Sequence, residues 1–440
     1  MTTRALLTEI YQAAVQAADA RALTRRAMAR LGLSTADRVH LIAAGKAARR
    51  MADGARAALV ESGASPAGGI VVTVDGEDAP LAGLTVLAGD HPIPAARSVQ
   101  AAVALEDSRR RIGRGDRAIV LLSGGASSLL ATPIPEVSAD SLRRLWTDLL
   151  AAGAPIQTMN AIRRRVLRWG GGRLAQHLAR AGADVDVLVA SDVLGDDLPS
   201  IGSGPCAGDP STARDVIELL ARLGLSARVP HDVAKYLEDV AGGRRPETLK
   251  PGAPEAARVR THVILNNATA VAGAAACARR LGFAVEVSPS PLVSSSREAG
   301  VALARQLIDT ASRHDALPDR CVIAGGETTV VLEPEMLGRG GRCQELALVV
   351  ARDLGGAQLG PRVTLLAAGT DGRDGPTDAA GAIVDGGTWS AIADAGRDPS
   401  HDLDRHDAYA ALDAVGALLR TGATGTNVND VIVGLVRSSD

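Results

Sequence analysis

The sequence predicts an α/β fold in two domains. Short runs rich in Val, Ile and Leu recur between amphipathic Ala, Leu and Arg stretches, the alternation of strands wrapped by helices. Several of these runs end directly in polar turns containing glycine, as strands of a parallel sheet do where they hand the chain to a helix. At 440 residues the chain is also longer than one ordinary core accommodates.

Taken in order, the first 3.6-residue period covers residues 5–31 and is expected as a helix, and the apolar run 39–43 is the first strand. A helix over 47–62 follows, then strands at 70–74 and 84–88, a helix at 97–111 and a strand at 118–122. Helices at 139–150 and 173–180 precede a strand at 185–190. Beyond a helix at 213–223 come a strand at 261–265, a helix at 268–281 and a strand at 284–287. The remainder alternates helix 297–312, strand 321–324, helix 344–353, strand 362–367, helix 407–419 and strand 430–436. Between residues 241 and 254, AGGRRPETLKPGAP, glycine, proline and charge displace any apolar period, so a linker is placed there between domains at 1–240 and 255–440.

Composition excludes several classes of function. Aromatics are 2 % of residues, with Phe283 the single Phe, so few rings exist to stack nucleic-acid bases. A net charge of −2 supplies no basic field for a phosphate polymer or an anionic membrane. Nucleic acid and membranes are therefore not expected partners. Cys206, Cys277, Cys321 and Cys343 form no C-x-x-C pair and read as reduced thiols. The N-terminus lacks the uninterrupted apolar region of a signal peptide, and the expectation is a cytoplasmic protein.

Five strand ends carry the chemistry: AAGKAA at 43–48, LLSGGASSLL at 121–130, ASDVLGDD at 190–197, IAGGETTVV at 323–331 and LAAGTDGRDGPTDAAGA at 366–382. In a parallel sheet the carboxyl edge gathers such turns, so they are expected to form one site or two facing ones. Ser123, Gly124, Gly125, Ser127 and Ser128 are the most phosphate-like, because glycines admit backbone N–H groups to an anion and hydroxyls add donors. The chain has no G-x-x-x-x-G-K-[ST], so this is no Walker A loop. Lys46, read as lying in the first turn of a helix, opposes the helix dipole and suggests an anion to offset it. Asp192, Asp196 and Asp197 share one turn, and Asp371, Asp374 and Asp378 another; a metal would use one or two, and Asx-turns or helix caps are the competing reading. Gly325, Gly326, Glu327 and Thr328, with Gly369 and Thr370, complete the candidate binding set. Arg339 and Arg342 bring fixed positive charge to a glycine turn, suited to a carboxylate or a phosphoryl group.

Other signals are weaker. Residues 202–207 match G-x-G-x-x-A without a preceding strand, which argues against a dinucleotide site. His91 in GDHPIP offers a catalytic reading, but a lone loop histidine is more often a hydrogen-bonded structural residue. The stretch 401–406 holds ligand-type residues without zinc spacing and reads as a loop.

With these turns in view, the chain closely resembles the glycerate 2-kinase family, whose C-terminal part is the MOFRL domain. The matching blocks are AAGKAA, GDHPIP, LLSGGASSLL, SDVLGDDLPSIGSGP with DPST at 209–212, AGGETTV, GRGGRCQELAL, AAGTDGRDGPTDAAGA and TGATGTNVND at 421–430, in order along essentially the whole chain. The resemblance implies a Rossmann-like parallel-sheet N-terminal domain, a smaller α/β MOFRL-type C-terminal domain and an active site in the cleft between them. It further implies ATP with a divalent metal, Mg²⁺, and 2-phosphoglycerate made from D-glycerate or a similar hydroxy acid, by a monomer or homodimer. The family's catalytic lysine falls on Lys46 and its key arginine on Arg342. Asp192 is the candidate to orient or deprotonate the acceptor hydroxyl; alternatively Asp192 and Asp197 hold the metal. The chain departs from the family at Cys343 (usually Asn), Arg165 (often His), Leu167 (often Ser), Gly170 (often Lys) and Ser294–Ser296 (Gly-Glu-Ala), through drift or a different acceptor. A kinase for a related hydroxy or sugar acid, a silent sugar-phosphate or nucleotide sensor, and a hydroxypyruvate reductase are the competing functions, the last lacking a glycine fingerprint.

Overall fold

Apolar runs too short for helices and buried on both faces become the central strands of two sheets. The computed structural model describes residues 1–74, 80–91, 93–313, 319–331 and 338–438. It divides into one unit of Met1–Asp19 with Leu265–Asp440 and another of Ala20–Ile264. The expected helix over 5–31 is therefore two: α1 (Thr3–Ala17) in the first unit and α2 (Ala20–Ala29) in the second. Thr426 Oγ1 donates to the carbonyl of Ala18 (2.8 Å), satisfying a helix-end acceptor where α1 stops.

The Ala20–Ile264 unit holds strands β1 (Val39–Ala44), β2 (Gly68–Thr73), β3 (Thr85–Ala88), β4 (Arg117–Ser123), β5 (Asp184–Ala190) and β6 (Val259–Leu265) in the order β3-β2-β1-β4-β5-β6. The pairings of β1 with β2 and β4, β2 with β3, and β4 with β5 are parallel. That is the strand order of a doubly wound nucleotide-binding sheet, with its switch point between β1 and β4. Helices α3 (Ala48–Glu61), α4 (Ala96–Arg109), α5 (Ala126–Leu129), α6 (Ala139–Ala151), α7 (Ile156–Val166), α8 (Arg173–Arg180), α9 (Ala213–Arg222) and α10 (His231–Ala241) complete the unit. The core on β1, β2, β4 and β5 includes Ile42, Val120, Leu122 and Val187, and a second cluster joins Leu145, Ile162 and Leu237 from α6, α7 and α10.

The domain boundary falls elsewhere than at 241–254. That segment stays inside the Ala20–Ile264 unit because Leu249 is buried, the Thr248 hydroxyl donates to Asp209 (3.0 Å), and the Gly171 carbonyl accepts from Leu249 N–H (3.1 Å). A segment polar enough to be a linker is held by buried hydrogen bonds instead.

The other unit is not an all-parallel sheet. Strands β7 (Ala284–Val287), β8 (Arg320–Gly326), β9 (Val363–Gly369), β10 (Gly381–Asp385), β11 (Leu418–Leu419) and β12 (Asp430–Val436) lie in the order β11-β10-β9-β12-β8-β7. β12 is antiparallel to both β8 and β9, and β10 to β9 and β11. The carboxyl ends of β8 and β9 thus share an edge with the amino end of β12, and Asp430 stands opposite both Gly326 and Gly369. The helices are α11 (Asn267–Arg280), α12 (Ser296–Ser312), α13 (Arg342–Gly356), α14 (Thr388–Asp394), α15 (Pro399–Asp404) and α16 (Ala408–Asp413), with α1 packed on α11. The expected helix over 407–419 is cut short at α16, its end becoming β11, and the expected loop at 401–406 is mostly α15. Among the described residues no helix is long and apolar enough to cross a membrane.

Candidate functional site

In the Ala20–Ile264 unit three of the five expected turns converge at the switch point. Gly45 leaves β1 at φ 130°, and a methyl group there would stand 2.1 Å from Ser123 Oγ, so only glycine lets the turns after β1 and β4 approach so closely. The amide of Lys46 donates to the carbonyl of Gly124 (2.9 Å) and that of Ala47 to Ser123 Oγ (3.0 Å). Ser123 is buried, and its hydroxyl oxygen accepts the bond that forms this latch. Lys46 lies before the N-terminus of α3, not in its first turn, and its side chain is exposed.

Gly124 and Gly125 leave room for functional side chains. A methyl group at Gly124 would meet the Asp192 carboxylate at 1.8 Å, so the turn after β5 presses its acid against the turn after β4. At Gly125 (φ 85°) it would meet the His91 ring at 3.0 Å and Lys46 Cγ at 3.4 Å. A cation, an imidazole and a carboxylate therefore surround one glycine turn. Burial first, and the Lys46 charge second, hold the His91 pKa below its usual value, so the ring is neutral near pH 7. Sequence reasoning leaves His91 between a catalytic and a structural role; the structure places it at the glycine turn. Ser127 and Ser128 sit on the four-residue α5, and among the described residues neither hydroxyl is engaged in a hydrogen bond. Asp197 is exposed and accepts from the Ser200 hydroxyl.

The Leu265–Asp440 unit carries a second cluster at the shared edge of β8, β9 and β12. Arg342 grips Asp430 with two bonds (Nε to Oδ2 2.6 Å, Nη2 to Oδ1 2.9 Å) and Glu327 with a third (Nη1 to Oε1 2.9 Å). Asn429 Nδ2 donates to the other Glu327 oxygen (2.7 Å). A guanidinium has five N–H groups, so Arg342 keeps two for a ligand while its carboxylates fix its plane. Asp430, 2 % exposed, was missed from sequence; it stands as an acid at the head of an apolar strand, which is the signal it offered.

Several neighbours are held by bonds and close contacts within the fold. Asp374 accepts from the amides of Cys343 (3.1 Å) and Gln344 (2.8 Å) and so caps α13. Burial, with Asp430 nearby, pushes its pKa up to about 7. Thr370 is fully buried and latches the 424–429 loop, accepting from Val428 N–H (2.9 Å) and donating to the Asn429 carbonyl (2.7 Å). A methyl group at Gly325 would strike Asn267 Oδ1 at 2.0 Å and one at Gly326 the Leu292 carbonyl at 2.3 Å, so these glycines serve packing; a methyl at Gly369 would meet the Arg373 carbonyl at 2.6 Å. Asp371 accepts from Arg373 N–H in an Asx-turn (2.9 Å). Thr328 is buried, its hydroxyl unpartnered among the described residues. Arg339 stacks on Tyr409 at 4.2 Å.

The departures at Arg165, Leu167, Gly170 and Cys343 lie inside the fold, whereas Ser294 is exposed. Arg165 is fully buried with Asp209, Glu247 and the Ser211 carbonyl as partners, and Leu167 and Gly170 are buried beside it. Cys343 is buried, its thiol raised by desolvation. Ser295 caps α12 in a capping box with Glu298.

Comparison with known proteins matches residues 6–238 to the domain of unknown function DUF4147 and residues 320–430 to the MOFRL family. The chain is 36 % identical to the D-glycerate 2-kinase of Thermotoga maritima, covering 98 % of each, and 35 % identical to the glycerate 2-kinase of Pyrococcus horikoshii, covering 91 % of this chain and 88 % of that one. A putative hydroxypyruvate reductase of Agrobacterium vitis is 36 % identical over 98 % of this chain and 94 % of its own. The crystal structure of the Thermotoga maritima glycerate kinase superposes with a TM-score of 0.87 over 98 % of this chain and 99 % of that one.

Proposed function

This chain belongs to the glycerate 2-kinase family of MOFRL-containing proteins, and on that premise we propose that it phosphorylates the 2-hydroxyl of D-glycerate, or of a closely similar hydroxy acid, with ATP. The observation that carries the reading is the convergence of Lys46, His91 and Asp192 on the Gly124-Gly125 turn at the switch point of the sheet. Backbone N–H groups and a mobile cation at such a turn suit polyphosphate, and positioning with electrostatics supplies most of the rate of phosphoryl transfer.

In the proposed reaction the acceptor oxygen attacks the terminal phosphorus of ATP, the bond to the bridging oxygen breaks, and ADP leaves. The acceptor's proton passes to Asp192, held beside Gly124. Lys46 offsets charge on the donor phosphates; in the Leu265–Asp440 unit the two unused N–H groups of Arg342 suit a carboxylate or a phosphoryl group. Mg²⁺ would neutralise phosphate charge; in the alternative assignment Asp192 and Asp197 would hold it, and Asp192 would then not receive the proton. An ion bound with a nucleotide takes most of its ligands from phosphates and water, so one or two carboxylates from the turn after β5 would suffice. The protein is proposed to act in the cytoplasm as a monomer or homodimer.

The reductase named for the Agrobacterium relative would need a glycine fingerprint after β1, where this chain has Ala44-Gly45-Lys46-Ala47. Incubation with D-glycerate, ATP and Mg²⁺, read by phosphorus NMR, should yield phosphate on the 2-hydroxyl. Phosphate on the 3-hydroxyl would refute the position. NADH oxidation with hydroxypyruvate, without phosphate transfer to any hydroxy acid, would refute the kinase.

A further inference from the structure

A cavity of about 650 Å³ opens beside the glycine turn, lined by α4, α5, α6 and α7. Its walls are mostly apolar, with Val99, Leu142 and Trp146 among them, and the exposed side chains of Ile93 and Leu150 rim it. Large apolar side chains left at a rim mark a binding surface when they surround a concavity. Two polar features break the apolar lining. Ser127 and Ser128, on the helix that leaves the Gly124-Gly125 turn, reach one side. On another, the Arg163 guanidinium lies 5.4 Å from the centre of the Trp146 ring, and its Nε is buried with no hydrogen-bond partner among the described residues.

From this juxtaposition we infer that the cavity holds the purine ring of the nucleotide donor, with the phosphates running back over Ser127 and Ser128 to the Gly124-Gly125 turn and Lys46. The inference rests on the kinase reading and deepens it. Both boundary segments of the cavity also border the phosphate turn: His91 packs on Gly125 while Ile93 and Pro94 line the cavity, and residues 123–128 join the two. A volume of this size suits a nucleoside. The small, highly polar acceptor has no use for an apolar wall. A planar base does, because Trp146 supplies a stacking face and Arg163 a spare donor for a ring nitrogen.

The test compares binding of a nonhydrolysable ATP analogue with that of inorganic tripolyphosphate, which has no base, by calorimetry on the full chain with Mg²⁺. Trp146→Ala should weaken the analogue about tenfold or more and leave tripolyphosphate within about twofold, since loss of one base–aromatic stack is worth that much. Thr147→Trp, which fills the cavity from its open side, should do the same and covers the case in which Trp146→Ala fails to fold. If both folded variants bind the analogue as the parent does, the cavity is not the base site and the kinase reading survives. A parent that binds neither analogue nor tripolyphosphate refutes the kinase reading, and this inference with it. Should light scattering show a change in assembly mass with analogue affinity unchanged, the surface belongs to contact between copies of this chain and the inference falls.

Discussion

The amide of Lys46 donates a hydrogen bond to the carbonyl of Gly124 (2.9 Å), tying the turn after β1 to the turn after β4 at the switch point of the sheet. The bond uses backbone alone, so the lysine side chain can be replaced without untying the turns.

Lys46→Met keeps the stem that lies over Gly125 and removes the ammonium. The rate of phosphoryl transfer should fall by about 10²–10³, the size of one lost charge-assisted contact in a transition state. The melting temperature should hold, because the side chain is exposed. Turnover within about threefold of the parent in a normally melting variant would remove Lys46 from the chemistry.

Gly124→Ala drives a methyl group to within 1.8 Å of the Asp192 carboxylate, which must then move. If Asp192 receives the acceptor proton, kcat should drop about as far as in Asp192→Asn, and combining the two should add little. Additive losses in a full kinetic comparison would show that the glycine and the acid act separately.

Arg342→Ala leaves Asp430 buried without its cation, and stability should fall on the order of 3 kcal/mol, tempered by the partial exposure of the arginine. Adding Asp430→Asn to that variant should restore most of the melting temperature and none of the activity. Recovery of activity along with stability would make Arg342 a structural residue only.

Asp374 gives a signed pH prediction. Burial, then Asp430, raise its folded pKa to about 7, above that of an unfolded aspartate. Its contribution to stability is therefore full below about pH 4, declines as pH rises toward 7, and is level beyond. Denaturant melts at pH 5, 6, 7 and 8 should show that decline in the parent and a flatter profile in Asp374→Asn; parallel profiles would contradict it.

Arg165→His restores the residue common in the family while shortening a fully buried cation. With Glu247 left short of a partner and Asp209 still paired to Arg164 (3.1 Å), stability should fall by about 3 kcal/mol and acceptor preference should not shift. A changed ranking of hydroxy acids in a substrate panel would tie the departure to specificity after all.

The central strands were legible because residues such as Ile119, Val120 and Leu121 are buried on both sheet faces and show as unbroken apolar runs. β10 was not, since Gly381–Asp385 follows a glycine-rich turn and gains its meaning only from pairing with β9. Leu418–Leu419 read as a helix end for the same reason. At the site, Lys46 and the Ser123–Ser128 turn could be read because each is a local pattern. Glu327 and Asp430 are 103 positions apart along the numbering, and what joins them is Arg342 between two strands that pair antiparallel. That relationship has no local signature.

Because α1 belongs with Leu265–Asp440 while α2 opens the other unit, the order of synthesis and the order of folding cannot coincide. The Ala20–Ile264 unit has all its strands but the last residue of β6 once residue 264 has left the ribosome, whereas α1 must wait for α11 and then for the Gly369 carbonyl that Tyr11 Oη reaches at 2.7 Å. At ordinary elongation rates the wait is roughly tens of seconds. α1 is made well before the elements that bury it, and its apolar face, Leu7, Ile10, Tyr11 and Ala14, has no native partner until they follow.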